Sequence, residues 1–262
     1  MKVCLMIEGQ EGVTWPQWVA LAHAAEEAHL DALFRSDHYR AIGRGDPNGA
    51  LDAWGTICAL ATITSTIRLG TLVTPVTFRK PSVLAKLVTT ADHISGGRVE
   101  RGLGAGWYES EHAAYGFDFM TTTGRLDELD RQLVEITRQW TEADDIWPKP
   151  VQQPRPRIII GGRAKPRTVA AAVKHADEYN TVWPTVDEAR ERKQRLDDAA
   201  EHAGRDPLTF SMMIELKGEA DELEEQLRAY AVVGVERVML QHLDHEDVDR
   251  VAVLGEVAAR LR

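Results

Sequence analysis

The sequence predicts an α/β protein folded as a single (β/α)8 TIM barrel, and two observations carry that prediction. Short apolar segments of strand length alternate with amphipathic segments of helical spacing, and this alternation repeats eight times along 262 residues. Strict alternation requires parallel strands joined by helical crossovers. Eight such units in a chain of this length are typical of a closed barrel, so we expect one domain over residues 1–262.

An open doubly wound sheet is the alternative architecture. Its usual mark is a Gly-x-Gly-x-x-Gly turn after the first strand. Here the first strand ends at Glu8-Gly9-Gln10, which lacks that pattern. The first turn therefore favours the barrel.

The predicted strands are short runs rich in Val, Ile and Leu that end at glycine, proline or polar residues. Pro75 closes the third strand, and Gly161-Gly162 ends the fifth. Two proline-rich pieces, 147–150 and 154–156, predict a stiff linker before the fifth strand, because proline disfavours helix. The strands are expected at residues 3–7, 31–34, 67–74, 99–103, 157–160, 178–182, 208–214 and 237–241.

The predicted helices follow these strands and carry recognisable start and stop signals. Thr14 is an N-cap with Pro16 in the first turn, and Gly96-Gly97 stops the third helix, because glycine enters the left-handed conformation without steric cost. Residues 40–49, rich in Gly, Pro and Asp, predict a loop. The helices are expected at residues 15–28, 51–63, 83–94, 126–140, 166–175, 186–202, 220–233 and 248–261.

Composition narrows the class of partner and the compartment. The net charge of −10 argues against nucleic acid and anionic membranes as partners, and no apolar run reaches the roughly 20 residues of a membrane span. Cys4 and Cys58 have no paired spacing, which indicates buried thiols in a reducing compartment. The nine histidines are scattered, so no metal site is expected. We therefore expect a cytoplasmic protein that acts on a small molecule.

In a (β/α)8 barrel the active site lies at the carboxyl ends of the strands. Gly102 and Gly104 lie two apart on the fourth strand, so they share one face, and a glycine-rich turn follows. Bare backbone there would let a flat or bulky group approach, which predicts a cofactor seat; close strand–helix packing is the alternative. The same rim collects Glu8, Asp37, His38, Thr74, Trp107, Trp183, Glu215 and Gln241.

Two further groups on this rim suggest chemistry. Asp37-His38 could hold and tune an imidazole for proton transfer, although His38 could instead only hydrogen-bond in a polar loop. Arg163, Lys165 and Arg167 follow Gly161-Gly162 at a helix start, which suits a phosphate; a solvated helix start is the alternative. No nucleophile elbow or spaced carboxylate pair supports hydrolysis.

Four segments resemble the bacterial luciferase-like family, and within it the branch of coenzyme F420-dependent oxidoreductases. They are IRLGTLVTPVTFR at 67–79, HISGGRVE at 93–100, GLGAGWYE at 102–109 and IIIGG at 158–162. The likeness covers residues 1–183 and thins over the last third. It implies a (β/α)8 barrel, in agreement with the strand count.

The resemblance also implies a flavin or 5-deazaflavin across the barrel mouth, with F420 expected and FMN as the alternative. It implies a non-prolyl cis peptide bulge at Leu72-Val73 that backs the ring, and homodimers, which are common among relatives. Asp37 and His38 match the family's Ser-Asp-His element beside the reactive ring. The cofactor-binding residues implied are Leu72, Val73, Thr74, Gly104, Ala105, Gly106, Trp107, Gly161, Gly162 and Arg163.

Three departures from the family pattern refine the expectation. Trp107 stands where sugar-phosphate dehydrogenases of the family carry an acidic residue, which disfavours that substrate class. Arg101 replaces an aliphatic residue and, if buried, would need a carboxylate partner. The chain is short between Trp140 and Pro148, which predicts a more open pocket.

The function expected from the sequence is therefore hydride exchange between F420 and a small organic substrate. An FMN-dependent monooxygenase of the same family is the first alternative. A barrel that binds a flavin or deazaflavin without turnover is the second.

Overall fold

The computed structural model describes residues 1–43 and 49–262, and within them eight parallel strands close into a barrel in chain order. The predicted (β/α)8 barrel is confirmed, and the open-sheet alternative is wrong, because the first and last strands pair along six residues each. The strands are β1 (Lys2–Ile7), β2 (Ala32–Arg35), β3 (Arg68–Pro75), β4 (Val99–Gly104), β5 (Arg157–Gly162), β6 (Glu178–Val182), β7 (Thr209–Glu215) and β8 (Arg237–His242).

Helices connect successive strands, and β4 is followed by a short helix before its long return helix. Part of the predicted loop, residues 44–48, lies outside the described residues. The helices are α1 (Trp15–Glu27), α2 (Ala53–Ile63), α3 (Pro81–Ser95), α4 (Glu109–Tyr115), α5 (Thr122–Thr141), α6 (Pro166–His175), α7 (Val186–His202), α8 (Ala220–Val232) and α9 (Arg250–Arg260). No helix in the described part of the chain is long and apolar enough to span a membrane.

The helix signals in the sequence operate as expected. Thr14 caps α1, where its backbone N–H donates to Oε1 of Gln17 at 2.8 Å. Gly96 ends α3 in the left-handed conformation with φ of 66°. These local signals fix where the helices begin and end, and therefore the lengths of the loops that form the barrel mouth.

The amino-terminal end of the barrel interior is closed by an ion cluster around Arg237. Its Nη1 lies 2.6 Å from Glu100 Oε2 and 3.1 Å from Glu178 Oε2, and its Nη2 lies 2.7 Å from Asp31. Burial opposes the charge of Glu100, yet Arg237 holds the pKa of that carboxyl at about 2. The cluster seals the end of the barrel that is remote from the predicted active site.

Within the described part of the chain, Arg101 lacks the carboxylate hydrogen-bond partner expected for it. Its side chain is fully buried on the helix-facing side of β4, and none of its three guanidinium nitrogens has a hydrogen-bond partner among the described residues. The guanidinium lies 4.9 Å from the ring centroid of Trp140 on α5. Burial lowers the pKa of Arg101 to about 9. Contact with an aromatic face replaces the expected ion pair.

Candidate functional site

A cavity of about 1210 Å³ opens at the carboxyl ends of the strands. This volume exceeds what a drug-sized ligand usually occupies, so the site can hold both a cofactor and a small substrate. The predicted site residues that line it are His38, Leu72, Val73, Gly104, Ala105, Gly106, Trp107, Gly161 and Gly162.

A bulge in β3 forms one wall of the cavity. The pairing of β3 with β4 shifts register between Thr71 and Thr74, and the Leu72–Val73 peptide bond is cis, at the position expected for it. The register shift turns Leu72 and Val73 toward the cavity, and both line it. The structure therefore has the expected bulge, and it faces the cavity.

The glycines of β4 and β5 make room for this bulge, whereas we expected those of β4 to make room for a cofactor. A Cβ at Gly104 would lie 2.6 Å from Val73 Cγ2, and one at Gly161 would lie 3.2 Å from Val73 Cγ1. At Gly102 a Cβ would collide with the carbonyl oxygen of Thr71. Gly102 and Gly104 thus leave the space that the Val73 side chain fills. A ligand in the cavity would therefore contact Val73 and not the backbone of these glycines.

The turn after β4 presents backbone and one large aromatic ring. Gly106 has φ of 77°, a conformation that favours glycine. Trp107 is 61% exposed at the mouth, so it is not an ordinary core residue. Its ring stacks on Tyr108 at 5.2 Å and meets the edge of His38 at 6.0 Å.

His38 is held by Glu111 of α4, and Asp37 has other partners. Nδ1 of His38 lies 2.8 Å from Oε2 of Glu111, whose carboxylate is fully buried. The other oxygen of Glu111 accepts the backbone N–H groups of Tyr39 at 2.5 Å and Arg40 at 3.0 Å. A carboxylate at Nδ1 favours a proton on that nitrogen and leaves Nε2 as the acceptor.

Asp37 and Thr74 lie behind the cavity wall and do not line it. Thr74 Oγ1 donates to Asp37 Oδ2 at 2.7 Å, and Arg79 Nη1 donates to the same oxygen at 2.7 Å. Arg79 also lies 2.6 Å from Asp52. Burial opposes the charge of Arg79, but Asp37 and the neighbouring acids raise its pKa. Asp37 and Thr74 therefore anchor the loop that carries His38 and do not contact a ligand in the cavity themselves.

The β1 and β8 strand ends place a carboxylate among amide groups. Gln241 Nε2 donates to Glu8 Oε1 at 2.6 Å, and Gln10 Nε2 donates to Glu8 Oε2 at 2.8 Å. Ser36 in turn donates to Gln10. Sequence reasoning placed Glu8 and Gln241 on the rim, but no motif marked their contact, which depends on the closure of β8 against β1.

The β5 end carries the predicted basic turn at the edge of the cavity. Gly161 and Gly162 line the cavity, whereas Arg163 is exposed and does not. Arg167 is already paired with Asp127 at 2.7 Å and Asp130 at 3.2 Å. Of the predicted basic group, Arg163 is therefore better placed than Arg167 to meet an anion at this edge.

Trp183 is a cavity residue to which the sequence assigned no role. It follows β6, is 56% exposed, and has φ of 41°. A positive φ is uncommon for an aromatic residue and is found most often where surrounding structure imposes it, as at functional sites. Glu111 was likewise missed, since nothing local in the sequence links α4 to the loop after β2.

The barrel and its cavity place the protein among (β/α)8 proteins that have a broad ligand site at the carboxyl ends of the strands. Residues 2–260 match the family described as luciferase-like monooxygenase. The chain belongs to the luciferase-like monooxygenase family, as its motifs indicated.

Similar proteins include both cofactor branches of the family. An uncharacterized protein of Mycobacterium tuberculosis is 31% identical over 225 residues, which is 80% of this chain and 76% of that protein. An F420-dependent secondary alcohol dehydrogenase with an F420–acetone adduct matches with a TM-score of 0.84, 16% identity, and coverage of 100% and 99%. The FMN complex of the oxygenating component of 3,6-diketocamphane monooxygenase from Pseudomonas putida matches with a TM-score of 0.79 and 14% identity. The match covers 99% of this chain and 98% of that one.

Proposed function

We propose that the protein is an oxidoreductase that exchanges hydride between coenzyme F420 and a small organic substrate in the cavity at the barrel mouth. The observation that carries the proposal is the joint placement of the Val73 bulge, the bare turn 104–106 and His38 around one cavity. The F420 branch is supported by the sequence segments of strands three to five and by the F420-dependent structural neighbour.

The residues present fit a deazaflavin. Leu72 and Val73 offer an apolar wall for the ring, since both line the cavity and both pack in an apolar cluster of barrel residues. Residues 104–106, Gly161 and Gly162 line the cavity beyond the bulge, where a long ligand would continue past the ring. Arg163, exposed beyond the β5 end, would hold the phosphate portion.

Within this site the chain's own residues would orient the substrate and manage a proton. A bound F420 supplies or accepts a hydride at C5. His38 would accept or donate the substrate's proton at Nε2, because Nδ1 is engaged by Glu111. The Arg79–Asp37 pair would keep the loop of His38 in place while the proton moves.

An FMN-dependent monooxygenase is the second candidate. It is supported by the FMN-containing structural neighbour, which covers nearly the whole chain. A barrel that binds a flavin or deazaflavin without turnover is the third, and binding without reaction would favour it.

Fluorescence titration of the purified protein with F420 and with FMN tests the proposal. We expect saturable quenching by F420, with a Kd in the micromolar range or lower. Micromolar FMN binding with no response to F420 would overturn the F420 assignment. F420 absorbance with a panel of alcohols, amines and carbonyl compounds then reports turnover, which His38→Ala should abolish while the exposed control His202→Ala retains it.

A further inference from the structure

We propose that the substrate accepted by this cavity is an organic cation that carries N–H donors, such as a protonated amine. The inference rests on the proposed function and deepens it by naming the substrate class. The binding surface, which we call the acidic wall, comprises Glu8, Asp244, His245 and Glu246 at the ends of β1 and β8.

The charge of the cavity lining has one sign. Glu8, Asp244 and Glu246 line the cavity, and within residues 1–43 and 49–262 no Lys or Arg lines it. Glu215 also lies there, but Lys217 pairs with it at 2.8 Å, so its charge is already balanced. A cavity of this kind disfavours anionic substrates and favours cations.

The carboxylate of Glu8 is held by uncharged hydrogen-bond donors and has no salt-bridge partner among the described residues. Its hydrogen bonds come from the side-chain amides of Gln10 and Gln241, which carry no charge. The nearby Arg35 acts on Glu8 through space, but more strongly on Asp37 and Asp52, and its guanidinium donates to Thr56 and to backbone carbonyls and not to Glu8. A carboxylate that is oriented by amides keeps its charge available to a cationic ligand.

His245 supplies an independent sign of a missing ligand. It lines the same cavity and is only 8% exposed, yet its Nε2 has no hydrogen-bond partner among the described residues. The ring is also hydrogen-bonded to the backbone of His242, and burial lowers its pKa, which favours the neutral form. A neutral imidazole whose remaining nitrogen is unpartnered is an acceptor that a substrate N–H would satisfy.

The acidic wall lies across the barrel from the expected phosphate end. In the closed strand order, β5 with Gly161 and Gly162 is four strands away from β1. An anionic cofactor tail and a cationic substrate would therefore occupy opposite sides of the mouth.

Isothermal titration calorimetry with three ligands of similar shape tests the proposal. The ligands are 2-phenylethylammonium, neutral 2-phenylethanol and anionic 3-phenylpropanoate. We expect the ammonium to bind at least about tenfold more tightly than the other two. The double variant Asp244→Asn/Glu246→Gln should lose most of that preference, and Glu8→Gln should weaken it separately.

Asp198→Asn/Glu201→Gln is the matched control for the double variant, because it removes the same two charges from exposed positions on α7. It should leave the preference unchanged, which separates local binding from general attraction to an acidic protein. Equal binding of the three ligands, or a preference that survives both cavity variants, would overturn the proposal. The measurement needs neither F420 nor turnover, so failure of the proposed function would show separately in the cofactor titration.

Discussion

Glu111 Oε2 lies 2.8 Å from Nδ1 of His38, although 73 residues separate them. The same buried carboxylate accepts two backbone N–H groups of the loop that follows β2. One side chain of α4 thus fixes both the position of His38 and the nitrogen that carries its proton. Glu111 is a positioning residue in the proposed mechanism, since it acts through His38.

Glu111→Gln should reverse the tautomer of His38. The amide oxygen can still accept from Tyr39, but the amide N–H₂ then faces Nδ1, which must become the acceptor. Two-dimensional ¹⁵N–¹H NMR of the imidazole should show Nδ1–H in the wild type and Nε2–H in the variant. The exposed neighbour Glu109→Gln is the control, and an unchanged His38 tautomer in Glu111→Gln would disprove the role.

Gly104→Ala should destabilise the fold, and Val73→Ala should rescue it. The added Cβ would lie 2.6 Å from Val73 Cγ2 and 3.8 Å from Val73 Cβ, so truncation of Val73 removes the clash. We expect a loss of about 1–3 kcal/mol for the single variant, as for other overpacked sites. Denaturant unfolding of both single variants and the double variant measures the coupling.

Gly55→Ala on α2 is the control for that cycle, because its added Cβ would be 3.5 Å from the nearest atom. It should be neutral or stabilising. Strictly additive effects of Gly104→Ala and Val73→Ala would contradict the contact between them.

Two buried arginines should respond oppositely to replacement by methionine. Arg101→Met removes a buried charge without a hydrogen-bond partner, so stability should stay equal or rise by about 1–4 kcal/mol. Arg237→Met removes the one arginine that Glu100 and Glu178 share, leaves each carboxylate only its partly exposed partner, Arg68 or Arg157, and should cost about 3–5 kcal/mol. Parallel urea denaturation compares them, and a loss for Arg101→Met as large as that for Arg237→Met would refute the difference.

Glu26 should make the fold sensitive to acid. Burial opposes its ionisation, but N–H donors of Ser65, Thr66 and Ile67 lower its pKa from 4.5 to about 2. Because the folded pKa is depressed, its stabilising contribution is complete above pH 4.5 and is lost as the pH falls toward 2.

The measurement is the free energy of unfolding of Glu26→Gln and of wild type at several pH values. The variant should be less stable by about 1 kcal/mol near neutral pH, with the difference narrowing in acid. Glu27→Gln, exposed at the next position, should show no such trend. A difference that is independent of pH would exclude the proposed hydrogen bonds as its source.

The strands and helices of the fold followed from local signals in the sequence, and the rim residues followed from the rule that sites of such barrels lie at the strand ends. Gly96, Thr14 and the strand-length apolar runs act within a few residues, so periodicity and capping rules predict the elements that they bound. The bulge at Leu72-Val73 followed from family resemblance, since no local pattern marks it. The expected homodimer stays a prediction.

The site contacts that escaped prediction join segments distant in the chain. Glu111 reaches His38 across 73 residues, and Gln241 reaches Glu8 across 233. Asp37 contacts Arg79, which follows the neighbouring strand β3, and this contact was not predicted either. Such pairs depend on the register of separate strands, and composition and spacing carry no information about that register.

A crystal structure of the F420 complex tests the central claim most directly. We predict that the deazaflavin ring contacts Val73 and the turn at residues 104–107, that its phosphate end reaches Gly162 and Arg163, and that its open face is turned toward His38. F420 bound away from the Val73 bulge, or an FMN complex in that seat with no F420 binding, would contradict it.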